Sequence, residues 1–258
     1  MIISRKRFLQ VSGASLLVAV GENRTRAFPG MSQDESTAPR TAGLTAGRWA
    51  MVVDLAKCAR QEGCTHCVEA CHATHNVPRI GDRAREVKWV WKDTFHNVFP
   101  EQENEYLAGE IRESPVLAFC NHCDNPPCVR VCPTQATWKR EDGIVMMDWH
   151  RCIGCRYCMA ACPYGSRSFN WADPRPHIQK LTAEFPTRTK GVVEKCTFCE
   201  DRLGKGQLPA CVEACPEKAM VFGDLDDPRS PVRELLGSKY SIRRRPELGT
   251  KPEIFYLV

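Results

Sequence analysis

Sixteen cysteines, falling into four groups of four, leave this 258-residue chain few ways to fold. The first group is Cys58, Cys64, Cys67 and Cys71, and the second is Cys120, Cys123, Cys128 and Cys132. The third is Cys152, Cys155, Cys158 and Cys162, and the fourth is Cys196, Cys199, Cys211 and Cys215. No cysteine is left over. Groups two, three and four end in Cys132-Pro133, Cys162-Pro163 and Cys215-Pro216, each closing a C-x3-C-P tail. Eight disulfides would have no use for that repeated tail.

The third group reads C-x2-C-x2-C-x3-C-P, a run that binds iron–sulfur clusters in bacterial proteins, with the fourth cysteine serving the other cluster of a pair. Three thiolates two residues apart, on a loop that curls around a cubane, reach three irons. The fourth begins a helix that points away. Groups two and four widen the middle to C-x2-C-x4-C-x3-C and C-x2-C-x11-C-x3-C. Zinc prefers paired C-x2-C knuckles closing one tetrahedron, which makes a structural zinc protein the remote alternative. Group one departs from the pattern: five residues separate Cys58 from Cys64, and His72 follows Cys71. Asp54 and Lys57 keep Cys58 in register with the repeat described next, so we expect it to ligate. The sixteen cysteines are thus read as ligands of four [4Fe–4S] clusters.

An internal repeat supports this reading. Met51–Cys58 aligns with Val145–Cys152: an apolar strand, an aspartate four residues before the cysteine and a cation directly before it, Lys57 or Arg151. Lys195 precedes Cys196 in the same way, and Cys132-Pro133-Thr134-Gln135-Ala136 matches Cys215-Pro216-Glu217-Lys218-Ala219. Residues 136–140 and 144–148 read as strands around Glu141-Asp142-Gly143, since Asp-Gly between β-prone runs is a strong hairpin signal. The expected class is α+β, a tandem, duplicated bacterial ferredoxin-like fold with insertions, short hairpins and short helices. Cations near a thiolate-bound cluster raise its potential; the simpler expectation for Lys57, Arg151 and Lys195 is solvated surface charge.

The net charge of +5 is concentrated at the N-terminus, where residues 1–27 carry Arg5, Lys6, Arg7, Arg24 and Arg26 against Glu22 alone. The remainder has no basic patch of the kind that nucleic acid requires. No run of 18 apolar residues suggests a membrane-spanning helix. A charged stretch, Ser4-Arg5-Lys6-Arg7-Phe8-Leu9-Gln10, leads into the apolar or small run Val11–Val20, the layout of a secretory signal. It resembles a twin-arginine export signal, with Lys6 where the second arginine belongs. We therefore expect an exported protein, peripheral on the periplasmic face of a membrane. Segments are expected at 1–27 (signal), 28–47 (linker), 48–225 (cluster domain) and 226–258 (C-terminal extension).

Four cysteine groups in this order, ending in C-x2-C-x11-C-x3-C, resemble the four-cluster electron-transfer subunits of polysulfide, tetrathionate and dimethyl sulfoxide reductases. Within that family, residues 71–78, 162–170 and 245–252 are most similar to exported subunits of DsrMKJOP-type membrane complexes of sulfur metabolism. The resemblance implies one cluster on Cys58, Cys64, Cys67 and Cys215, and a second on Cys196, Cys199, Cys211 and Cys71. A third would sit on Cys120, Cys123, Cys128 and Cys162, and a fourth on Cys152, Cys155, Cys158 and Cys132. It implies an integral membrane quinone-interacting subunit as partner, with multihaem cytochrome c and other redox subunits. The alternative is the wire of a molybdopterin-dependent polysulfide- or tetrathionate-type reductase. No P-loop or G-x-G-x-x-G is present, so the chain reads as a conductor without a catalytic residue or small-molecule substrate of its own.

His66, His72, His75 and His122 lie beside cluster cysteines. They are read first as loop histidines satisfied by backbone or water, and second as donors to the clusters. Trp89 and Trp91 alternate on a predicted strand, followed by Phe95 and Phe99; core packing is favoured over a partner contact. Residues 72–119 and 163–195 read as insertions suited to partner contacts, and the apolar end 253–258 as either a docked strand or a partner contact.

Overall fold

Trp49-Ala50-Met51-Val52-Val53 is apolar without alternation, which a strand covered on both faces requires. In the computed structural model, which describes residues 42–258, these five residues are all buried. The export segment and linker residues 28–41 lie outside the described residues. Ten strands are described: β1 (Trp49–Asp54), β2 (Val90–Thr94), β3 (Pro115–Phe119), β4 (Thr137–Lys139), β5 (Val145–Met147), β6 (Ser168–Phe169), β7 (Val193–Glu194), β8 (Met220–Asp224), β9 (Ser241–Ile242) and β10 (Ile254–Leu257). One four-stranded sheet runs β8-β1-β10-β9, and β2-β3, β4-β5 and β6-β7 form three two-stranded ribbons.

Strand β1 is central, antiparallel to β8 and parallel to β10. Trp49, Met51 and Val53 face the main core with Phe198, Phe222 and Tyr256, whereas Ala50 and Val52 face Val232 and Leu225. The second face is covered by the helix Pro231–Ser238, capped where the Ser230 hydroxyl accepts from the Arg233 N–H at 3.2 Å. Segment 226–258 therefore supplies β9, β10 and the covering helix of the central sheet, and residues 253–258 are a docked strand. The end of the linker is held as well: the Asp224 carboxylate accepts from the Gly47 and Arg48 N–H groups at 2.8 and 3.0 Å.

The Asp-Gly hairpin forms as β4-β5, with Thr137 opposite Met147 and the turn closed from Arg140 N–H to the Ile144 carbonyl at 2.9 Å. Its counterpart recurs in the central sheet. Asp148 N–H donates to the Ala136 carbonyl at 2.7 Å, and Asp54 N–H to the Ala219 carbonyl at 2.8 Å. Gln135 and Lys218, each two residues after a Cys-Pro, take φ of +53° and +47°. The two sequence insertions also contribute strands, β2-β3 from the first and β6-β7 from the second. Small mixed sheets with short helices between them make this an α+β, ferredoxin-like domain.

Glu253 enters β10 with 2% of its surface exposed, its Oε1 3.7 Å from Arg48 and its Oε2 without a partner. Burial pushes its carboxyl up to about 7, against the pull of Arg48 and with the help of Asp124. A carboxyl raised on folding stabilises the fold below its unfolded value near 4.5, and that contribution is lost as pH rises through about 7. Glu253→Gln should therefore melt with less dependence on pH, gaining about 2 kcal/mol over the parent at pH 8. Thermal melts at pH 5 and pH 8 check this; identical pH slopes in both proteins would refute it.

Candidate iron–sulfur centre

Each cysteine group begins just after a strand: β1 leads into Cys58, β3 into Cys120, β5 into Cys152 and β7 into Cys196. The residue before the second cysteine is left-handed in all four groups: Gly63 (φ +68°), His122 (φ +41°), Gly154 (φ +70°) and Phe198 (φ +57°). That turn curls the loop so that successive Sγ atoms converge, at a conformational cost where the residue is not glycine. Glycine is required at 154 for a second reason, because a Cβ there would stand 2.4 Å from the Gly191 carbonyl oxygen. Gly63 places the irregular first group in the same register, so the extra residues lie between Cys58 and the shared turn.

Distant stretches of chain bring twelve of the cysteines into three quartets and three more onto one small core. One hollow is lined by Cys58, Cys64, Cys67 and Cys215, with Lys92 and Leu117 at its wall. A second is lined by Cys71, Cys196, Cys199 and Cys211, closed by Met51, His75, Trp89 and Phe198. Cys123 lies in the field of Cys120, Cys128 and Cys162, which makes the third quartet. Cys132, Cys152 and Cys158 pack on one small core with Val145 and Met147, while Cys155 is exposed.

The quartets follow one another. Cys67 of the first acts on Cys71 and Cys211 of the second, Cys120 of the third acts on Cys196 of the second, and Cys128 of the third acts on Cys158. Burial, reinforced by neighbouring cysteines, pushes Cys67 up to about 11 and Cys196 up to about 12, and holds Cys71 and Cys211 well above the usual thiol range. Such thiols ionise only when a cation takes the proton's place.

Several polar groups around the quartets lack partners. Four cationic side chains are buried among the described residues: Arg167, Arg188, Lys195 and Arg244. Only Arg188 meets a carboxylate, that of Glu194 at 2.6 Å. Arg167 instead donates to Cys128 Sγ at 3.1 Å, and Lys195, fully buried, to the carbonyls of Val145 and Cys196. Buried charges normally have counter-charges, and these two stand against cysteines. The side chains just after Cys120 and Cys196, Asn121 and Thr197, are buried with no hydrogen-bond partner. Anionic groups rich in acceptor sulfur, held by the quartets, would supply what these cations and orphaned donors lack. The donor set therefore fits [4Fe–4S] clusters, and among the described residues no three Cys, His, Asp or Glu side chains converge on a single metal ion.

The expectation of solvated charge fits Arg151, which is mostly exposed, and fails for Lys195, which is fully enclosed. The histidines divide. His122 Nδ1 accepts from the Val145 N–H at 3.1 Å while its ring stacks on Phe198 at 3.7 Å, a structural role that burial enforces by keeping the ring neutral. His75 Nδ1 lies 3.0 Å from the Cys71 carbonyl and 3.8 Å from its Sγ, and His66 Nδ1 lies 3.4 Å from Cys64 Sγ. Both nitrogens of His72 are buried without a partner. Trp89 is core, stacked on His75 at 4.9 Å, and closes the second hollow; Phe95 and Phe99 are core too. Arg167 gave no signal in the sequence.

Cys58 tests the first quartet. If it ligates, Cys58→Ala will hold one iron less than the parent and show the electron paramagnetic signal of an oxidised three-iron cluster. Unchanged iron and an unchanged spectrum would remove Cys58 from the ligand set.

A 4Fe–4S dicluster domain model matches residues 116–189 and 180–225. The chain is 38% identical over 276 residues to the Hdr-like menaquinol oxidoreductase iron–sulfur subunit 1 of Archaeoglobus fulgidus, covering 99% of this chain and 98% of that one. It is 36% identical to a tetrathionate reductase subunit of Salmonella typhimurium, over 98% of this chain and 88% of that one. It is 39% identical to the iron–sulfur cluster-binding subunit of menaquinone reductase from Nitratidesulfovibrio vulgaris, over 81% of this chain and 88% of its relative.

Proposed function

Because this chain belongs to the family of 4Fe–4S electron-transfer subunits of oxidoreductase complexes, we propose that it carries four [4Fe–4S] clusters in a duplicated ferredoxin-like fold. It relays electrons between a quinone-reactive membrane subunit and other redox subunits of a DsrMKJOP-type complex. The ligand sets are Cys58, Cys64, Cys67 and Cys215; Cys71, Cys196, Cys199 and Cys211; Cys120, Cys123, Cys128 and Cys162; and Cys132, Cys152, Cys155 and Cys158. The observation that carries this reading is the gathering of cysteines from distant parts of the chain around shared hollows, Cys58, Cys64, Cys67 and Cys215 at one and Cys71, Cys196, Cys199 and Cys211 at the next. The recurring hydrogen bonds of Asp54 to Ala219 and Asp148 to Ala136 support duplication.

Bound clusters accept and give up single electrons. The protein's own contribution is to fix the spacing, exclude water from the inner quartets and supply charge and N–H donors around the sulfurs. Cys155, exposed on the fourth quartet, makes that end a natural point of contact with a redox partner. The similarity to a menaquinol oxidoreductase subunit over nearly the whole chain favours a quinone-linked membrane partner. The similarity to a tetrathionate reductase subunit over 98% of the chain supports the second reading, the wire of a molybdopterin-dependent reductase. The twin-arginine-like segment supports export and, with it, a periplasmic location.

Two measurements test the proposal. Iron and acid-labile sulfide in the anaerobically purified chain should each reach about sixteen per chain, four per cluster. The tagged chain, captured from membranes of anaerobic cells, should bring down a multi-span membrane protein, a multihaem cytochrome c and a heterodisulfide-reductase-like subunit. A large molybdopterin subunit in their place would establish the second reading. About eight irons would refute the four-cluster wire.

A further inference from the structure

Arg167 has no counterpart in the ligand pattern, yet it stands at the join between two quartets. It is 4% exposed and follows the Cys162-Pro163 turn. Its Nη2 donates to Cys128 Sγ at 3.1 Å and to Thr137 Oγ1 at 2.8 Å, and its Nη1 lies 3.7 Å from Met147 Sδ. The Thr137 hydroxyl spends its own proton on the Met146 carbonyl at 2.6 Å, so it can only accept from the guanidinium. That fixes the plane of the fork. Cys158, on the neighbouring quartet, packs on the same small core as Met147 and lies in the field of that guanidinium. Among the described residues no carboxylate pairs with Arg167, whereas Arg188, equally buried, has Glu194. Lys195 repeats the arrangement one join earlier, held by the Val145 and Cys196 carbonyls between the second and third quartets.

We propose that Arg167 is a shared cation for the third and fourth clusters, donating to a ligand sulfur of one while facing the other, and that it raises both reduction potentials together. The inference rests on the four-cluster reading. Each reduction adds one electron, with no proton and no bond change, so the charge at the site becomes one unit more negative. A fixed cation in a dry setting favours the more negative state. Because Arg167 acts on two neighbours, it moves both potentials in the same direction and leaves the difference between them largely unchanged. Arginine suits the position since it stays charged when buried and its planar fork reaches sulfur and hydroxyl at once.

The test is a potentiometric titration of the full chain, loaded with clusters, with dithionite as electron donor and electron paramagnetic resonance as readout. Arg167→Gln should lower the reduction equilibrium constants of two clusters at least tenfold, about 59 mV each. The other two should stay in place. Arg167→Lys, which keeps the charge and loses the fork, should recover part of the shift in the same two. Full iron with no midpoint displaced, or with all four displaced equally, overturns the proposal. If Arg167→Gln fails to hold iron, Thr137→Val decides, because it frees the guanidinium without removing it. A smaller shift in the same two clusters supports the assignment, and none refutes it. An iron count below four clusters in the parent would instead count against the four-cluster reading itself.

Discussion

Stripping iron from the loaded chain will abolish its cooperative unfolding transition rather than leave an empty scaffold. The cysteines are part of the core: Cys67, Cys71, Cys120, Cys196 and Cys211 pack with Met51, Trp89 and Phe198, and Cys128 and Cys158 with Val145 and Val193. Removing what the quartets hold takes away the middle of both clusters of side chains. It also leaves Arg167 and Lys195 enclosed without a counter-charge. Burial holds the thiols of Cys67, Cys71, Cys123, Cys158, Cys196 and Cys211 above their ordinary range, so these six supply no replacement anions at neutral pH. An uncompensated buried charge costs several kcal/mol, and two such charges consume much of the roughly 5–15 kcal/mol that holds a domain folded. Melts followed by near- and far-ultraviolet circular dichroism, before and after anaerobic chelation under reducing conditions, measure the difference. An apoprotein that melts at the parent temperature would show that the quartets carry no structural weight.

What the sequence made legible follows from local physics. The hairpin 136–148 could be read because Asp-Gly fixes a turn whatever surrounds it, and the structure trims it only at its ends. Strand β1 could be read from unbroken apolar residues, and the cluster chemistry from spacing, since short loops leave thiolates little freedom. The docked strand β10 could not be told from a partner contact, because Ile254–Leu257 is equally apolar in either setting. The short strands β6 and β7 are two residues each, too brief for any periodicity, and their pairing spans a long loop.

Charge was the least legible property. Lys57, Arg151 and Lys195 occupy the same position relative to a cysteine, yet Arg151 is mostly exposed and Lys195 is fully buried. The difference is tertiary: β5 and the fourth cysteine loop close over Lys195, and nothing in its own segment announces it. Arg167 sits in Gly165-Ser166-Arg167-Ser168, inside the 163–195 stretch read as an insertion suited to partner contacts. Its burial comes from β4 and β5 packing across it, through Thr137 and Met147.

Glu194→Ala will be the most destabilising single substitution away from the cysteines, costing about 3–5 kcal/mol. Glu194 and Arg188 are fully buried, and one carboxylate serves three donors. Its Oε2 accepts from Arg188 Nε at 2.7 Å and Trp89 Nε1 at 2.8 Å, and its Oε1 accepts from Asn170 Nδ2. The guanidinium in turn donates to the carbonyls of His75 and Asn76, immediately after the helix His66–Thr74 that carries Cys67 and Cys71. Truncation leaves a buried cation without its counter-charge and the Trp89 indole N–H unpaired, takes the nearer acceptor from Asn170, and loosens the clamp on that helix. In a domain of this size such a loss lowers Tm by about 10 °C. Glu194→Gln keeps an acceptor but not the charge, and should fall between parent and alanine. Replacing both partners with apolar residues will not restore stability here, because the His75 and Asn76 carbonyls would then lose their donor. Because cluster proteins unfold irreversibly once iron is lost, the comparison belongs at one fixed scan rate. Iron should be counted in parallel: a shift below about 2 °C with full iron would mean that the buried pair is replaceable, and that the helix bearing Cys71 is held by its cluster alone.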